Sequence, residues 1–240
     1  MARRFFVDKV NINSDLITIS GQEHIHLTKV LRKSVGEQIL VTSQNFNYVC
    51  EIIEINQKQT VCKIITKEKI VEDCPNVTLF QAVLKGEHMD FLVQKATELN
   101  VKKLVPFLSE FVVVKPDEKK LERYKRISQE ACKQSGRKTI MEIPSILTFE
   151  NLKQELKNYD QIIFAYENSR NSAQETLKEL NLGQKIALVV GSEGGFSEKE
   201  VKQLESLNAK VISLGKNILR GETAGLTLTS IVMFCLNQFK

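Results

Sequence analysis

The chain has no tryptophan, four prolines and three histidines among its 240 residues. Its five cysteines (Cys50, Cys62, Cys74, Cys132 and Cys235) are odd in number, widely spaced and nowhere arranged as C-x-x-C. That pattern argues against a disulfide framework and against a zinc site, and makes a reducing cytoplasm the expected compartment. No apolar run reaches the roughly 18 residues that a membrane-spanning helix needs. The first residues, Met1 to Asp8, carry basic groups, but Asp8 interrupts the apolar stretch, so no signal peptide is expected. Neither G-x-x-x-x-G-K-[ST] nor G-x-G-x-x-G occurs, which removes the standard P-loop and the dinucleotide fingerprint. There is no internal repeat and no low-complexity tract.

Glycine is scarce through most of the chain and gathered near its end: six of the 11 glycines fall between Gly191 and Gly225. They lie in two segments, Val189-Val190-Gly191-Ser192-Glu193-Gly194-Gly195-Phe196-Ser197 and Ser213 to Gly225. Each follows an apolar run that reads as a strand and precedes a helical pattern. Loops at the C-terminal ends of strands are where an α/β sheet binds a ligand. The alternative is a pair of ordinary turns that need glycine for their geometry. Neither loop has a lysine placed as in a Walker motif. A conventional Rossmann methyltransferase would carry its glycine loop after the first strand of the α/β unit, and here the loops follow the last strands. Backbone-lined loops of this kind suit a neutral or weakly charged adenosine-type ligand better than a triphosphate.

Hydrophobic residues make up 42% of the chain and charged residues 26%, as in ordinary globular proteins, and the net charge is +5. Between Lys115 and Lys138 stand nine basic residues against four acidic ones, an excess equal to that of the whole chain. The first 33 residues carry six basic against three. Two basic patches suit a polyanion, RNA or DNA first. A solvated helix face with i,i+4 pairs such as Glu122–Arg126 would look the same.

Val, Ile and Thr dominate short strands at Leu16 to Ile19, Gln38 to Thr42, Tyr48 to Ile55 and Thr60 to Thr66. Between the first two, Gln22 to Lys33 has helical spacing, with Ile25, Val30 and Leu31 on one face. Closely spaced short strands indicate a small barrel or sandwich. A polar break containing Pro75 divides the chain into domains 1–72 and 73–240. Beyond it, strands (Val77 to Leu84, Lys103 to Leu108, Gln161 to Tyr166, Ile186 to Val190, Val211 to Leu214) alternate with helices (Glu87 to Asn100, Asp117 to Ser135, Phe149 to Asn158, Ser172 to Leu180, Ser197 to Leu207, Thr223 to Phe239). Ser197 and Glu200 form a capping box at the start of one of them. The alternation predicts a mainly parallel sheet covered on both faces.

These segments resemble the SPOUT-class RNA methyltransferases, specifically the RsmE family, which methylates N3 of a uridine in small-subunit (16S) ribosomal RNA. The resemblance runs nearly end to end. It includes Arg4-Phe5-Phe6-Val7, His26-Leu27-Thr28-Lys29-Val30-Leu31-Arg32 and Gln94-Lys95-Ala96-Thr97-Glu98-Leu99-Asn100-Val101, where the family often has Gly for Asn100. It continues through Glu122-Arg123-Tyr124, Glu130 to Arg137 and both glycine segments. The first segment has Ser192 where the family usually has Pro. The second, Leu214-Gly215 through Ile218-Leu219-Arg220-Gly221-Glu222-Thr223-Ala224, is the most specific. The resemblance implies an N-terminal PUA-like β-barrel that engages RNA and a C-terminal SPOUT α/β domain ending in a deep trefoil knot. It also implies S-adenosyl-L-methionine in the knot loops, a homodimer, and small-subunit ribosomal RNA or the assembled small subunit as partner. No membrane and no metal are implied. Methylation of another RNA position, or a non-catalytic assembly role, are the alternatives.

On that basis the cofactor-binding residues are Gly191, Glu193, Gly194, Gly195, Leu214, Gly215, Ile218, Leu219, Gly221 and Thr223. Methylating uracil N3 requires loss of its proton, so the site needs a base or stabilisation of the uracil anion. Arg220, Glu222 and Glu193 are the catalytic candidates. Arg220 stays protonated and can hold a phosphate or a developing charge on a uracil carbonyl. Glu222 is either a base or a carboxylate favoured by the helix N-terminus. Glu193 is either a base or an acceptor bracing the loop. Arg3, Arg4, Lys29, Arg32, Arg123, Arg126, Lys133 and Arg137 are the RNA-binding candidates. With no tryptophan, base stacking falls to Phe, Tyr or Arg. His24 and His26 form an H-x-H with no further metal ligand evident. His26 is read as bracing the fold or meeting RNA, and His88 as a surface residue.

Overall fold

Alternating β-branched and polar residues build the N-terminal strands. In the computed structural model, which describes residues 4–7, 12–43, 46–70, 74–113, 117–167, 169 and 173–239, they form a six-stranded sheet. Its strands are β1 (Arg4–Phe6), β2 (Ile12–Asn13), β3 (Leu16–Ser20), β4 (Gln38–Ser43), β5 (Phe46–Ile55) and β6 (Gln59–Lys69), in the order β1-β4-β5-β6-β3-β2. One face supplies the buried cluster of Phe5, Ile17, Ile19, Ile39, Val41, Tyr48, Cys50, Ile52 and Cys62, joined by Leu27. The period of 2 expected for half-buried strands is plain in Tyr48, Cys50 and Ile52. After β3 come α1 (Gly21–Ile25) and one π-helical turn, His26–Val30. The face on which the spacing places Ile25, Val30 and Leu31 is not the buried one: Ile25 and Val30 are exposed and Leu31 half-buried, whereas His24 and Leu27 are buried. The wider π turn shifts the phase that a 3.6-residue period assumes. His24 Nδ1 lies 2.9 Å from Thr60 Oγ1, which satisfies the buried ring.

The remaining strands are β7 (Val77–Ala82), β8 (Lys103–Leu108), β9 (Leu147–Thr148), β10 (Gln161–Ala165), β11 (Ile186–Val190) and β12 (Lys210–Ile212). They form one sheet in the order β12-β10-β11-β7-β8-β9, with every pair parallel. The helices are α2 (His88–Glu98), α3 (Glu118–Ser135), α4 (Phe149–Leu156), α5 (Ala173–Thr176), α6 (Glu198–Glu205) and α7 (Gly221–Cys235). Strands buried on both faces read as continuous apolar runs, as Ile186–Val190 does. Ile186, Leu188 and Val190 face a core built with α2 and α7, while Ala187 and Val189 face one built with α4 and α6. Two compact units result: Met1–Asp73 with Lys133–Thr139, and Cys74–Cys132 with Ile140–Lys240. A single break near Pro75 does not anticipate the grouping of Lys133–Thr139 with the first unit.

The capping box forms as expected. Ser197 Oγ accepts the Glu200 N–H, Glu200 accepts the Ser197 N–H, and Glu200 Oε1 also accepts the Glu110 N–H at 2.9 Å. The buried glutamate therefore ties the start of α6 to the loop after β8. Asn100 ends α2 with φ +63, a left-handed position that glycine fills most easily and asparagine tolerates. Burial pushes the thiols of Cys50 and Cys62 up to about 12. Both should stay unmodified by an aromatic disulfide reagent near pH 8 in the native protein and react fully once it is unfolded. Rapid native labelling of either would contradict this packing.

Candidate functional site

The C-terminal edge of a parallel sheet is where loops are free to build a site. On that edge the loops leaving β10, β11 and β12 surround an open cavity of about 520 Å³, counting the space at its mouth. Ala165, Tyr166 and Glu167 line it after β10, and Gly191, Ser192 and Gly195 after β11. Ser213 to Gly215 and Asn217 to Leu219 line it after β12, with Gly221 and Ala224 of α7. Glu167 is the one charged side chain among the described lining residues. With one carboxylate and no basic side chain among its described lining residues, the wall disfavours a polyphosphate and suits a cation joined to a neutral heterocycle.

The β11 loop is a tight turn in which the Gly195 N–H donates to the Ser192 carbonyl at 3.0 Å. Gly195 has φ +68, where a β-branched residue is strained. Phe196 fastens the turn to the core by stacking on Phe107 and meeting Phe164 edge-on, with ring centroids 6.2 and 4.9 Å away. On the other side, Gln81 stands beside Val190 in the β7–β11 ladder, and its Nε2 donates to the Gly191 carbonyl at 2.9 Å. The amide thus catches the first carbonyl beyond the ladder. Gly221 allows close approach: a Cβ there would fall 2.6 Å from Leu84 Cδ2 and 3.4 Å from the Gly191 oxygen.

Both loop glutamates reach the connection between β7 and α2. Glu193 Oε1 accepts the Lys85 N–H at 2.8 Å, the bracing role foreseen as one alternative. Glu222, buried in the first turn of α7, places Oε1 3.0 Å from His88 Nδ1. His88 is therefore more than the plain surface residue that the sequence reading expects. Arg220 precedes them as the exposed N-cap of α7, and among the described residues its side chain has no ion-pair partner.

Of the expected cofactor residues, Gly191, Gly195, Leu214, Gly215, Ile218, Leu219 and Gly221 line the cavity. Glu193, Gly194 and Thr223 are not in its wall: Gly194 abuts Phe111, and Thr223 is exposed on α7. Sequence reasoning missed Tyr166, Glu167 and Gln81. The first two follow an apolar strand just as the glycine loops do, but no glycine marks them. Gln81 is, with Thr78, one of two polar residues inside the apolar run Val77 to Leu84.

The basic candidates separate. Arg3 lies outside the described residues. Arg4 Nη1 donates to Asn47 Oδ1 at 3.0 Å and Thr42 Oγ1 at 3.3 Å. Lys29, Arg32 and Arg126 are exposed, and Arg123 pairs with Asp90. Lys133 and Arg137 do not share the exposed face expected of them. Lys133 pairs with Glu23 at 2.5 Å with both side chains largely buried, and Arg137, beyond the end of α3, is 9% exposed. The i,i+4 pair expected for Glu122 is replaced by an i,i+3 pair with Lys125.

Residues 72–233 match the family described as RNA methyltransferase domain, and residues 19–65 the RNA methyltransferase PUA domain. Ribosomal RNA small subunit methyltransferase E of Bacillus subtilis is 30% identical over 246 residues, spanning 97% of this chain and 96% of that protein. The protein of the same description from Mesomycoplasma hyopneumoniae is 31% identical over 229 residues, spanning 94% and 96%. Among solved structures, ribosomal RNA small subunit methyltransferase E of Neisseria gonorrhoeae bound to S-adenosyl methionine superposes with a TM-score of 0.84 at 26% identity, covering 98% of each chain. A putative methyltransferase from Legionella pneumophila with bound SAM gives 0.86 at 26% identity, also over 98% of each. By the span of the domain match and the identity of these relatives, the chain belongs to the RNA methyltransferase family, among the small-subunit methyltransferase E proteins.

Proposed function

We propose that this protein methylates N3 of a uridine in small-subunit ribosomal RNA, using S-adenosyl-L-methionine held by the loops after β10, β11 and β12. The observation that carries the reading is the cavity wall, with its glycine-rich backbone, its single carboxylate and no basic side chain among the described residues. Gly191, Gly195, Leu214 and Leu219 offer backbone groups to an adenosine, and Glu167 offers a counter-charge to the sulfonium or the ammonium. When bound, S-adenosyl-L-methionine supplies an electrophilic methyl group, and the protein supplies orientation and electrostatics. Arg220, exposed at the head of α7 and with no ion-pair partner among the described residues, is suited to a uracil carbonyl or a flanking phosphate.

The finer architecture belongs to the same proposal. We read residues 1–72 as a PUA-like barrel that engages RNA and 73–240 as the catalytic domain, with its C-terminal segment drawn into a deep trefoil knot. The tight passage of Gly221 against Leu84 and the Gly191 carbonyl supports such threading. We read the active form as a homodimer. In support, Phe234 of α7 and Phe91 of α2 are 69% and 47% exposed, on helices whose packed faces meet where Gly225 abuts Leu92. The cysteine pattern supports a cytoplasmic location, and among the described residues no helix is long and apolar enough to cross a membrane.

The deciding experiment incubates the protein with labelled S-adenosyl-L-methionine and small subunits lacking the modification, then maps the product by reverse transcription. A strong stop at one uridine is expected, because N3 methylation blocks base pairing. Label without a stop would point to another position such as a ribose, and no label with no cofactor binding would point to an assembly role. Gly195→Val should weaken cofactor binding by about tenfold or more in calorimetry, through strain at positive φ. Unchanged affinity would misplace the site. Arg126→Ala should weaken RNA binding and reduce its salt slope by about 1 while leaving cofactor affinity unchanged.

A further inference from the structure

Uracil N3 must give up its proton, and the two loop glutamates are the obvious acceptors from sequence. Each is engaged on the same short connection: Glu193 on the Lys85 N–H, and Glu222 beside His88 Nδ1 at 3.0 Å. In the second pair the carboxylate is the inner member, 11% exposed, and the imidazole the outer, 45% exposed. A carboxylate at Nδ1 favours the neutral ring that carries its proton there, which leaves the Nε2 lone pair outward. Gly221, the neighbour of Glu222, lines the cavity, so the carboxylate that holds the ring is one residue along α7 from the cavity wall. The charged groups around it are Glu222 and Arg220 of α7, Lys85 and Glu87 before it, and Asp90, which Arg123 of α3 engages.

We propose that His88 accepts the uracil N3 proton and that Glu222 is the positioning residue that fixes its tautomer; this rests on the uridine-N3 reading above. The N3–H bond breaks and its proton passes to His88 Nε2. N3 keeps the electron pair and uses it to bond the donor's methyl carbon, while the pair of the broken C–S bond stays on sulfur. The resulting imidazolium is stabilised by Glu222 and loses its proton to water. One positive charge leaves the donor and one proton enters solvent, so the step balances.

The first test needs neither cofactor nor RNA. Nitrogen-15 spectra of the histidine-labelled protein should show neutral His88 protonated on Nδ1, and on Nε2 in Glu222→Ala. The second is the single-turnover rate on unmodified small subunits as a function of pH. The wild-type rate should rise with pH and then level, as expected of a step that uses one unprotonated base. His88→Gln should be slower by about 10²-fold or more near pH 7, and its rate should climb with hydroxide across the range. Its cofactor affinity and melting temperature should match the wild type, which a merely structural tie between α2 and α7 would not allow. A His88→Gln enzyme with wild-type rate and profile, or an Nε2-protonated ring in the wild type, would overturn the proposal. If the wild-type protein methylates no uridine N3, the functional reading falls and takes this role with it; if it does and His88→Gln equals it, the role of His88 alone falls.

Discussion

The bond from the buried Gln81 amide to the Gly191 carbonyl sets the geometry on which the site depends. A glycine-rich loop leaving a sheet has few side chains with which to hold itself, and each glycine gains entropy by staying loose. Gln81 fixes the departing backbone from within the central strand, at a position with no solvent to compete. Its own Oε1 has no partner among the described residues, so the amide is committed to a donor role at some cost in buried polarity. Everything downstream follows from that fixed carbonyl. The turn from Ser192 to Gly195 closes beside it, Phe196 drops into the aromatic core, and α7 starts close enough that a Cβ at Gly221 would have to displace Leu84.

From there the two glutamates complete the frame. Glu193 and Glu222 come from different loops yet meet one short segment, Lys85 to His88, which leaves the same strand that carries Gln81. Strand β7 and its exit thus grip both glycine loops, and the cavity lies between loops held at their roots. Preorganisation of this kind spares a ligand the cost of ordering the loops itself. It also sets a division of charge: carboxylates and Arg220 gather around the head of α7, while among its described lining residues the cavity wall carries Glu167 alone.

Much of this was legible in the sequence, because parallel-sheet strands announce themselves as apolar runs and the helices between them carry clear periods. Lys103–Leu108 and Ile186–Val190 fall where the pattern places them, and the capping box at Ser197 and Glu200 was readable from spacing alone. The glycine loops were legible for the same reason, since glycine clusters where backbone must turn or approach closely. What stayed hidden depends on contacts distant in sequence. Nothing local marks Gln81 as the partner of Gly191, 110 positions away, or His88 as the partner of Glu222. The basic residues were the least legible. Lys133 and Arg137 continue the helical spacing of Arg123 and Arg126, yet the first is held by Glu23 and the second is buried. A period reports which residues share a face, and tertiary packing decides whether that face meets solvent.

The most direct test of the account is a calorimetric comparison of two adenosine ligands of opposite charge. A cavity with one carboxylate and no basic side chain among its described lining residues should bind S-adenosyl-L-methionine at one site per chain and give no measurable heat with ATP. Comparable binding of ATP, or no binding of S-adenosyl-L-methionine, would contradict it.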